Sequence, residues 1–391
     1  MTYAKFFVLL QHLSMICTDL HSDLQSLLAE YDPSQVVFVI DEAVKHAPSA
    51  VSHQKSAFSL SVTEEGKSLA TVQQIWDFLI ERRITRRGVI VAVGGGVVTD
   101  LAGFAAATYQ RGIAYVNVPT TLLAMVDAST GGKTGFNYGG LKNCIGAFHE
   151  PLATLIYPPF LATLPPREML SGYAEMLKTG LIEYSPSRPR ARHQPSAISH
   201  QKSEISKVRP ALFHRLLQYD LETMPIDSLT PLIADCIGIK GRIVAADPRE
   251  RNLRKALNLG HTFGHALEEM AIRHHGHGLS HQKSSVRSQI LPHGYAVLYG
   301  LIAELYLSVT LAGCPREPLQ QLTSLMLRYY GRPQCACSDR GQLIELMHRD
   351  KKNERAADIN CTLIRSVGCP LTNQHITDAQ AAEAWDYIFS L

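Results

Sequence analysis

The chain has 391 residues, 46% of them hydrophobic, and a formal net charge of +3. That length allows two domains, and that composition supports packed cores and excludes wholesale disorder. The near balance of charge gives no handle for nucleic acid or for an anionic membrane surface.

Taken in order, residues 1–30 read as a strand followed by an amphipathic helix. Phe6–Leu10 is too short to span a membrane. A single Lys5 and no small-residue cleavage site argue against a signal peptide, so this run is expected to be the first strand. Gln35–Ile40 is a buried strand that ends at Asp41. An acidic residue there can bind a ribose in dinucleotide folds, but alone it is more often an ordinary loop residue. Glu64-Glu-Gly-Lys67 opens a helix expected to run through Ile75 to Glu81. Val89–Val93 is a buried parallel-type strand. It leads into Gly94-Gly-Gly-Val-Val-Thr-Asp100 and a helix expected over Leu101–Tyr109. Strand, glycine turn and helix make a phosphate cradle, although the spacing is neither G-x-G-x-x-G nor a Walker loop.

Ile113–Val118 is a further strand, ending in Pro119-Thr-Thr121. Asp127-Ala-Ser-Thr-Gly-Gly-Lys-Thr134 then gathers a carboxylate, hydroxyls, glycines and a lysine in what reads as one polar loop, with Lys142-Asn143 close behind. After Pro165-Pro166 the pattern turns helical, with Glu168, Glu175 and Lys178 at helical spacing. Glu175 and Lys178 could form a solvated surface pair. Their apolar neighbours, Tyr173, Ala174, Met176 and Leu177, favour a buried role. From Leu229 onward the chain reads as mostly helices, with Lys240, Asp350, Lys351 and Lys352 as polar markers. The pentapeptide Ser-His-Gln-Lys-Ser occurs at 52–56, 199–203 and 280–284. The uneven spacing rules out a solenoid, and the surroundings read as surface inserts at 47–60, 184–208 and 272–290.

Arg254-Lys-Ala-Leu-Asn-Leu-Gly-His-Thr-Phe-Gly-His-Ala-Leu-Glu-Glu269 carries the strongest local chemistry. A helix puts His261 and His265 on one face, which Leu257, Gly264 and Glu268 share. Two such histidines can hold one divalent metal, divide into ligand and general base, or be an ordinary hydrogen-bonded pair. Gly260 and Gly264 allow close approach of a ligand or another backbone. Eight cysteines are scattered along the chain. Without the density of a disulfide scaffold they read as reduced thiols of a cytoplasmic protein, and Cys335-Ala-Cys337 lacks a partner pair for metal.

With these motifs in place the chain resembles the 3-dehydroquinate synthases. The matching stretches are Gly94–Arg111, Pro119–Gly146, Thr163–Gly180, Ala245–Glu268, Pro292–Val297 and Asp350–Asn353, in the family's order. The resemblance implies an α/β N-terminal Rossmann-like domain, residues 1–165, that binds NAD. An all-α C-terminal domain, residues 166–391, would bind metal and substrate. It implies Glu175, His261 and His293 as ligands of Zn2+ or Co2+, and His265 as an acid–base residue. Residues matching NAD contacts are Asp41, Glu64, Lys67 and the Gly95, Gly96, Val97, Val98, Thr99, Asp100 turn. Thr120, Thr121, Asp127, Lys133, Lys142 and Asn143 continue that set, followed by Phe160, Thr163, Leu164 and Glu168. Substrate contacts would come from Arg111, Asp127, Lys133, Asn143, Lys178 and Lys240. Arg254, Asn258 and the Lys351–Lys352 pair complete them. These cations suit a substrate with a carboxylate and a phosphate.

The reaction implied converts 3-deoxy-D-arabino-heptulosonate 7-phosphate to 3-dehydroquinate and phosphate, by transient oxidation, β-elimination, reduction and aldol closure. A homodimer is implied too. The nearest alternatives are another sugar phosphate cyclase, such as a 2-deoxy-scyllo-inosose synthase, and a metal-dependent polyol dehydrogenase. Retention of Arg254, Asn258 and Lys240 leans against the former, and the dense cationic cluster against the latter. The chain departs from the family pattern at Thr63 and Thr99, where glycine is usual, and at Ala128 and Thr130. Tyr295 replaces the acidic residue expected two positions after His293.

Overall fold

The computed structural model describes residues 13–44, 56–139, 141–183, 211–276, 291–349 and 359–391. The strand expected at Phe6–Leu10, the repeated pentapeptides apart from Ser56, and the Lys351–Lys352 pair lie outside the described residues. Contacts divide the chain into two compact units, residues 1–175 with 225–248 and residues 176–224 with 249–391.

The first unit is built on eight strands: β1 (Leu13–Ile16), β2 (Val36–Asp41), β3 (Ala57–Leu60), β4 (Val89–Gly94), β5 (Ala114–Pro119), β6 (Lys133–Tyr138), β7 (Leu141–Phe148) and β8 (Ala153–Ile156). Six form one parallel sheet in the order β1-β8-β5-β4-β2-β3. All of β4 is buried, as a strand covered on both faces must be, and its Val89-Ile-Val-Ala-Val run supplies the apolar side chains for both. The tail of the expected 47–60 insert is therefore not inserted. Ala57-Phe-Ser-Leu60 pairs with β2 from Phe38 to Asp41 as the edge strand.

Helices α1 (Leu20–Leu28), α2 (Leu69–Glu81) and α3 (Gly96–Thr108) belong to this unit. Glu64–Gly66 is a separate 3-10 turn, so α2 begins five residues later than expected. Helix α3, by contrast, begins at Gly96, five residues before the expected Leu101. The β-branched Val97, Val98 and Thr99 read as turn, yet helix propensity is a weak prior against burial. Val98, Leu101, Ala102, Ala105 and Ala106 all pack into the core beneath the sheet. A Cβ at Gly94 would lie 2.7 Å from Val98 Cβ, so a bare Gly94 is what lets the chain turn straight from strand into helix.

The polar stretch 127–134 is not one loop. Ala124–Ala128 is a π-helical turn, and Lys133 already starts β6. Strands β6 and β7 form an antiparallel hairpin of their own. The chain then enters α4 (Pro166–Leu181), which runs unbroken across residues 175 and 176. Helix α6 (Thr230–Ala246) packs with the first unit, α5 (Leu212–Leu217) with the second.

The second unit is mostly helical: α7 (His261–Gly276), α8 (His293–Ala312), α9 (Glu317–Tyr329), α10 (Arg340–His348) and α11 (Asp378–Ser390). Helix α7 continues into the expected 272–290 insert as far as Gly276. The all-α expectation misses one antiparallel hairpin, β9 (Ile359–Ser366) with β10 (Cys369–Ile376). Ile359-Asn-Cys-Thr-Leu-Ile364 is buried at every position, and so short a run has no period that separates strand from helix. Helix α8 is long and apolar enough to cross a membrane, but most of it is buried within the protein.

Helices α7 and α8 meet through glycine. A Cβ on Gly300 would sit 1.9 Å from the Gly260 carbonyl oxygen, and one on Gly264 3.0 Å from the Ala296 oxygen. The close approach that Gly260 and Gly264 permit is thus to another backbone. Gly300→Ala should force these helices apart and cost about 1–3 kcal/mol, the usual range for overpacking. Urea unfolding of the purified variant checks this, and an unchanged midpoint would refute the packing described.

Candidate active site and metal centre

In the first unit the predicted cradle lies at the C-terminal ends of β2 and β4, where the strand order reverses, the usual ligand crevice of an open α/β sheet. Gly95 caps α3 without a side chain, so no side-chain hydrogen bond closes the helix N-terminus. Backbone N–H groups and the helix dipole there favour an anion. Thr120 donates its N–H to the Gly94 oxygen at 3.0 Å, and a Cβ on Gly95 would come 3.1 Å from Thr121 Cγ2. Both threonines therefore flank the turn. Asp41 ends β2, with its carboxylate accepting the Ala43 N–H at 3.0 Å. Burial raises its pKa, while the Ala43 and Gly95 N–H groups favour the charged form.

Lys67 is buried, and its ammonium donates to Asp100 at 2.5 Å and to Asn143 Oδ1 at 2.6 Å. Burial pushes the Asp100 carboxyl up, against the Lys67 charge. Asn137 extends this network, donating to Glu64 Oε1 at 2.9 Å and accepting the Asn143 N–H at 2.8 Å. Glu64, Lys67, Asp100 and Asn143 are thus brought together, with Lys142 next to Asn143 on β7. Asn137 is absent from the sequence-derived set, although it follows directly on the ligand-rich run. Lys240, on α6, donates to both the carbonyl and the carboxylate of Asp127, at 2.5 and 2.6 Å. Phe160 is buried in a 3-10 turn, Pro158–Thr163, whose Thr163 hydroxyl donates to the Phe160 oxygen. Leu164 caps that turn, and Glu168 is exposed in the first turn of α4. Lys133 is exposed at the start of β6. Arg111 stands apart: it follows the C-terminal end of α3, about 20 Å along the helix from the Gly96 turn.

Thr99 absorbs its departure from glycine locally. Its side chain is buried, and the hydroxyl donates to the Gly96 carbonyl at 3.1 Å.

Glu175, His261 and His293 each offer one ligand atom, and the three atoms lie within 4.8 Å of one another. Glu175 is fully buried on α4, and Lys178, one turn on, is 1% exposed. A surface ion pair is therefore excluded. His261 opens α7 and His293 opens α8. His261 Nδ1 faces the Leu259 carbonyl at 3.1 Å, and His293 Nδ1 faces Glu268 Oε1 at 3.1 Å. Both acceptors require an Nδ1–H, which leaves each neutral ring its Nε2 lone pair. That is the arrangement in which a histidine binds metal. Two imidazoles and a carboxylate fit Zn2+ or Co2+ by ligand chemistry.

His265 lies beside this group, its ring 5.4 Å from that of His261 and 6.5 Å from that of His293. Asn258 donates to Glu250 at 2.8 Å, and Arg254 is buried nearby in sequence on the same 3-10 turn. With Tyr295 at the position where an acidic residue is expected, the acidic neighbour of His293 is Glu268. Tyr295 packs edge-on against Tyr330 instead, 4.8 Å between centroids. Sequence reasoning put Glu268 on the histidine face of α7 without assigning it this role.

A curated 3-dehydroquinate synthase of Parabacteroides distasonis is 37% identical over 379 residues, covering 95% of this chain and 96% of its own. Among solved structures, a 2-epi-5-epi-valiolone synthase of Streptomyces hygroscopicus with NAD+ and Zn2+ bound superposes with a TM-score of 0.74 at 24% identity, covering 97% of each chain. A 2-deoxy-scyllo-inosose synthase complexed with carbaglucose-6-phosphate, NAD+ and Co2+ gives 0.71 at 22% identity, covering 97% of this chain and 96% of its own. At those identities the two structures speak for the fold. The family model described as 3-dehydroquinate synthase N-terminal matches residues 57–171, and the one described as 3-dehydroquinate synthase C-terminal matches 172–353. On these matches the chain belongs to the 3-dehydroquinate synthase family.

Proposed function

We propose that the chain is a carbon–oxygen lyase that converts 3-deoxy-D-arabino-heptulosonate 7-phosphate to 3-dehydroquinate and inorganic phosphate, with no net redox change. The observation that carries this is the Glu175, His261 and His293 group, with both imidazoles held in the tautomer that frees Nε2. NAD is assigned to the sheet domain, residues 1–165, with its pyrophosphate at the Gly95–Asp100 turn and a ribose at Asp41. Bound there, it supplies a hydride acceptor that can return the hydride to the same carbon. A divalent metal on the triad supplies polarisation of a substrate oxygen.

The remaining work falls to the chain's own side chains. Lys178, Arg254 and Lys240 offer cations for a carboxylate and a phosphate, which a neutral polyol would not need. Buried, they act in a medium where charge is weakly screened. Glu250 orients the Asn258 amide through their 2.8 Å hydrogen bond. His265 stands close enough to the ligand histidines to move a proton on a bound substrate without itself being a ligand. Lys133, Asn143, Lys142, Thr120 and Thr121 complete the contacts to cofactor and substrate. Arg111 is assigned to the substrate and a homodimer to the assembly, both as the family implies. The cytoplasmic reading is supported by eight cysteines that are all free thiols.

Substoichiometric NAD+ should support many turnovers of the heptulosonate phosphate, with phosphate released one for one with substrate. Steady NADH accumulation at 340 nm, in proportion to substrate consumed, would falsify this reading and favour a polyol dehydrogenase.

The two histidines of α7 should separate cleanly. His261→Ala should lose bound metal and turnover together. His265→Ala should keep its metal and lose about 10²–10⁴-fold in rate, the usual contribution of a general acid–base group. Metal analysis of both purified variants decides the matter, since a metal-free His265→Ala would require a different ligand set.

A further inference from the structure

Glu304 lies in the middle of α8, is fully buried, and has no role in the chemistry described above. Its carboxylate accepts the Gly260 N–H at 2.6 Å and the Thr262 N–H at 3.3 Å. Those two residues flank His261. The first N–H groups of a helix have no partner within it, and Gly260 has no side chain with which to cap α7. Glu304 supplies the cap from the neighbouring helix, with a negative charge where the α7 dipole favours one.

A buried carboxylate costs solvation that an apolar residue would not. If α8 served only to pack, a leucine would be the cheaper choice at this position. One further bond is directed at the same short segment, and a second pair ties α8 itself to β9. The Thr262 hydroxyl donates to the Asn360 carbonyl at 3.0 Å, which ties the α7 start to β9. Ser308, one turn after Glu304, donates to the Glu304 carbonyl at 2.6 Å and accepts the Ile364 N–H at 3.0 Å. The His261 backbone is thus clamped on both sides by Glu304, and its ring is oriented by the Leu259 carbonyl.

We propose that Glu304 is a positioning residue for the metal centre, holding His261 at the start of α7 by capping the peptide groups on either side of it. This rests on the metal reading of the Glu175, His261 and His293 group. Glu304 acts through the backbone of the α7 start. A glutamine keeps the shape but offers one acceptor and one donor to two N–H groups, so one of them must turn away. An aspartate keeps the charge but falls one methylene short.

The test is Zn2+ affinity of the chelator-stripped full-length chain, measured by competition with a chromophoric chelator and without any turnover. The parent should take up one Zn2+ per chain. Glu304→Gln should bind it about 10–100-fold more weakly, as losses of outer supporting bonds do. Far-UV circular dichroism and a cooperative urea transition establish that the variant is folded. Ser308→Ala is the comparison, since it loosens the same helix without touching the clamp, and it should lower the urea midpoint while keeping parental affinity. A folded Glu304→Gln of parental affinity overturns the proposal. If Glu304→Gln does not fold, Glu304→Asp takes its place with the same criterion. If neither folds, Glu304 is a determinant of the fold and the proposal fails. A parent that takes up no stoichiometric Zn2+ overturns the metal reading itself, and this inference with it.

Discussion

The contact between α7 and α8 is the constraint on which the proposed metal centre depends. Both helices begin with a histidine of the proposed metal group. Their backbones approach so closely at Gly260 and Gly300 that not even a methyl group fits between them. Shape alone would leave the α7 N-terminus free to fray, because its first N–H groups need acceptors. The Glu304 carboxylate supplies them, and Glu268 on α7 reaches back to His293 on α8. Each helix thus holds the other's histidine, one through its peptide groups and one through its ring.

The proposed cofactor end of the chain is held in a similar way by different parts. The turn from β4 into α3 is shaped by glycines, but its charge balance is set from outside by Lys67, which reaches both Asp100 and Asn143. Lys240 does the equivalent for Asp127 from a helix 113 residues further on. At Asp100 the Lys67 charge works against the burial that raises its pKa. The cost is that each such pair depends on segments far apart in the chain being in place before a ligand arrives.

At two positions where the chain departs from the expected family pattern, Thr99 and Tyr295, the structure shows what the side chain touches. Thr99 fits because its hydroxyl finds the Gly96 carbonyl within the same turn. Tyr295 packs on Tyr330, while Glu268 is the acidic neighbour of His293.

Much of this was legible in the order of residues. Runs such as Val89–Val93 specify a buried strand, and a glycine turn after it specifies an anion cradle, because both follow from local backbone geometry and side-chain type. The spacing of His261, His265 and Glu268 places them on one helix face for the same reason. Local pattern also misled where burial outweighs propensity: α3 starts early through Val97–Thr99, Ala57–Leu60 joins the sheet, and Ile359–Ser366 forms a strand in an otherwise helical unit. What only the tertiary structure decided were the pairings across long separations. His293 meets Glu268, Gly260 meets Glu304, and Asn137 links Glu64 to Asn143. A hydrogen bond needs two groups within about 3 Å. No spacing rule brings residues 25, 44 or 73 positions apart to that distance until the elements that carry them are packed.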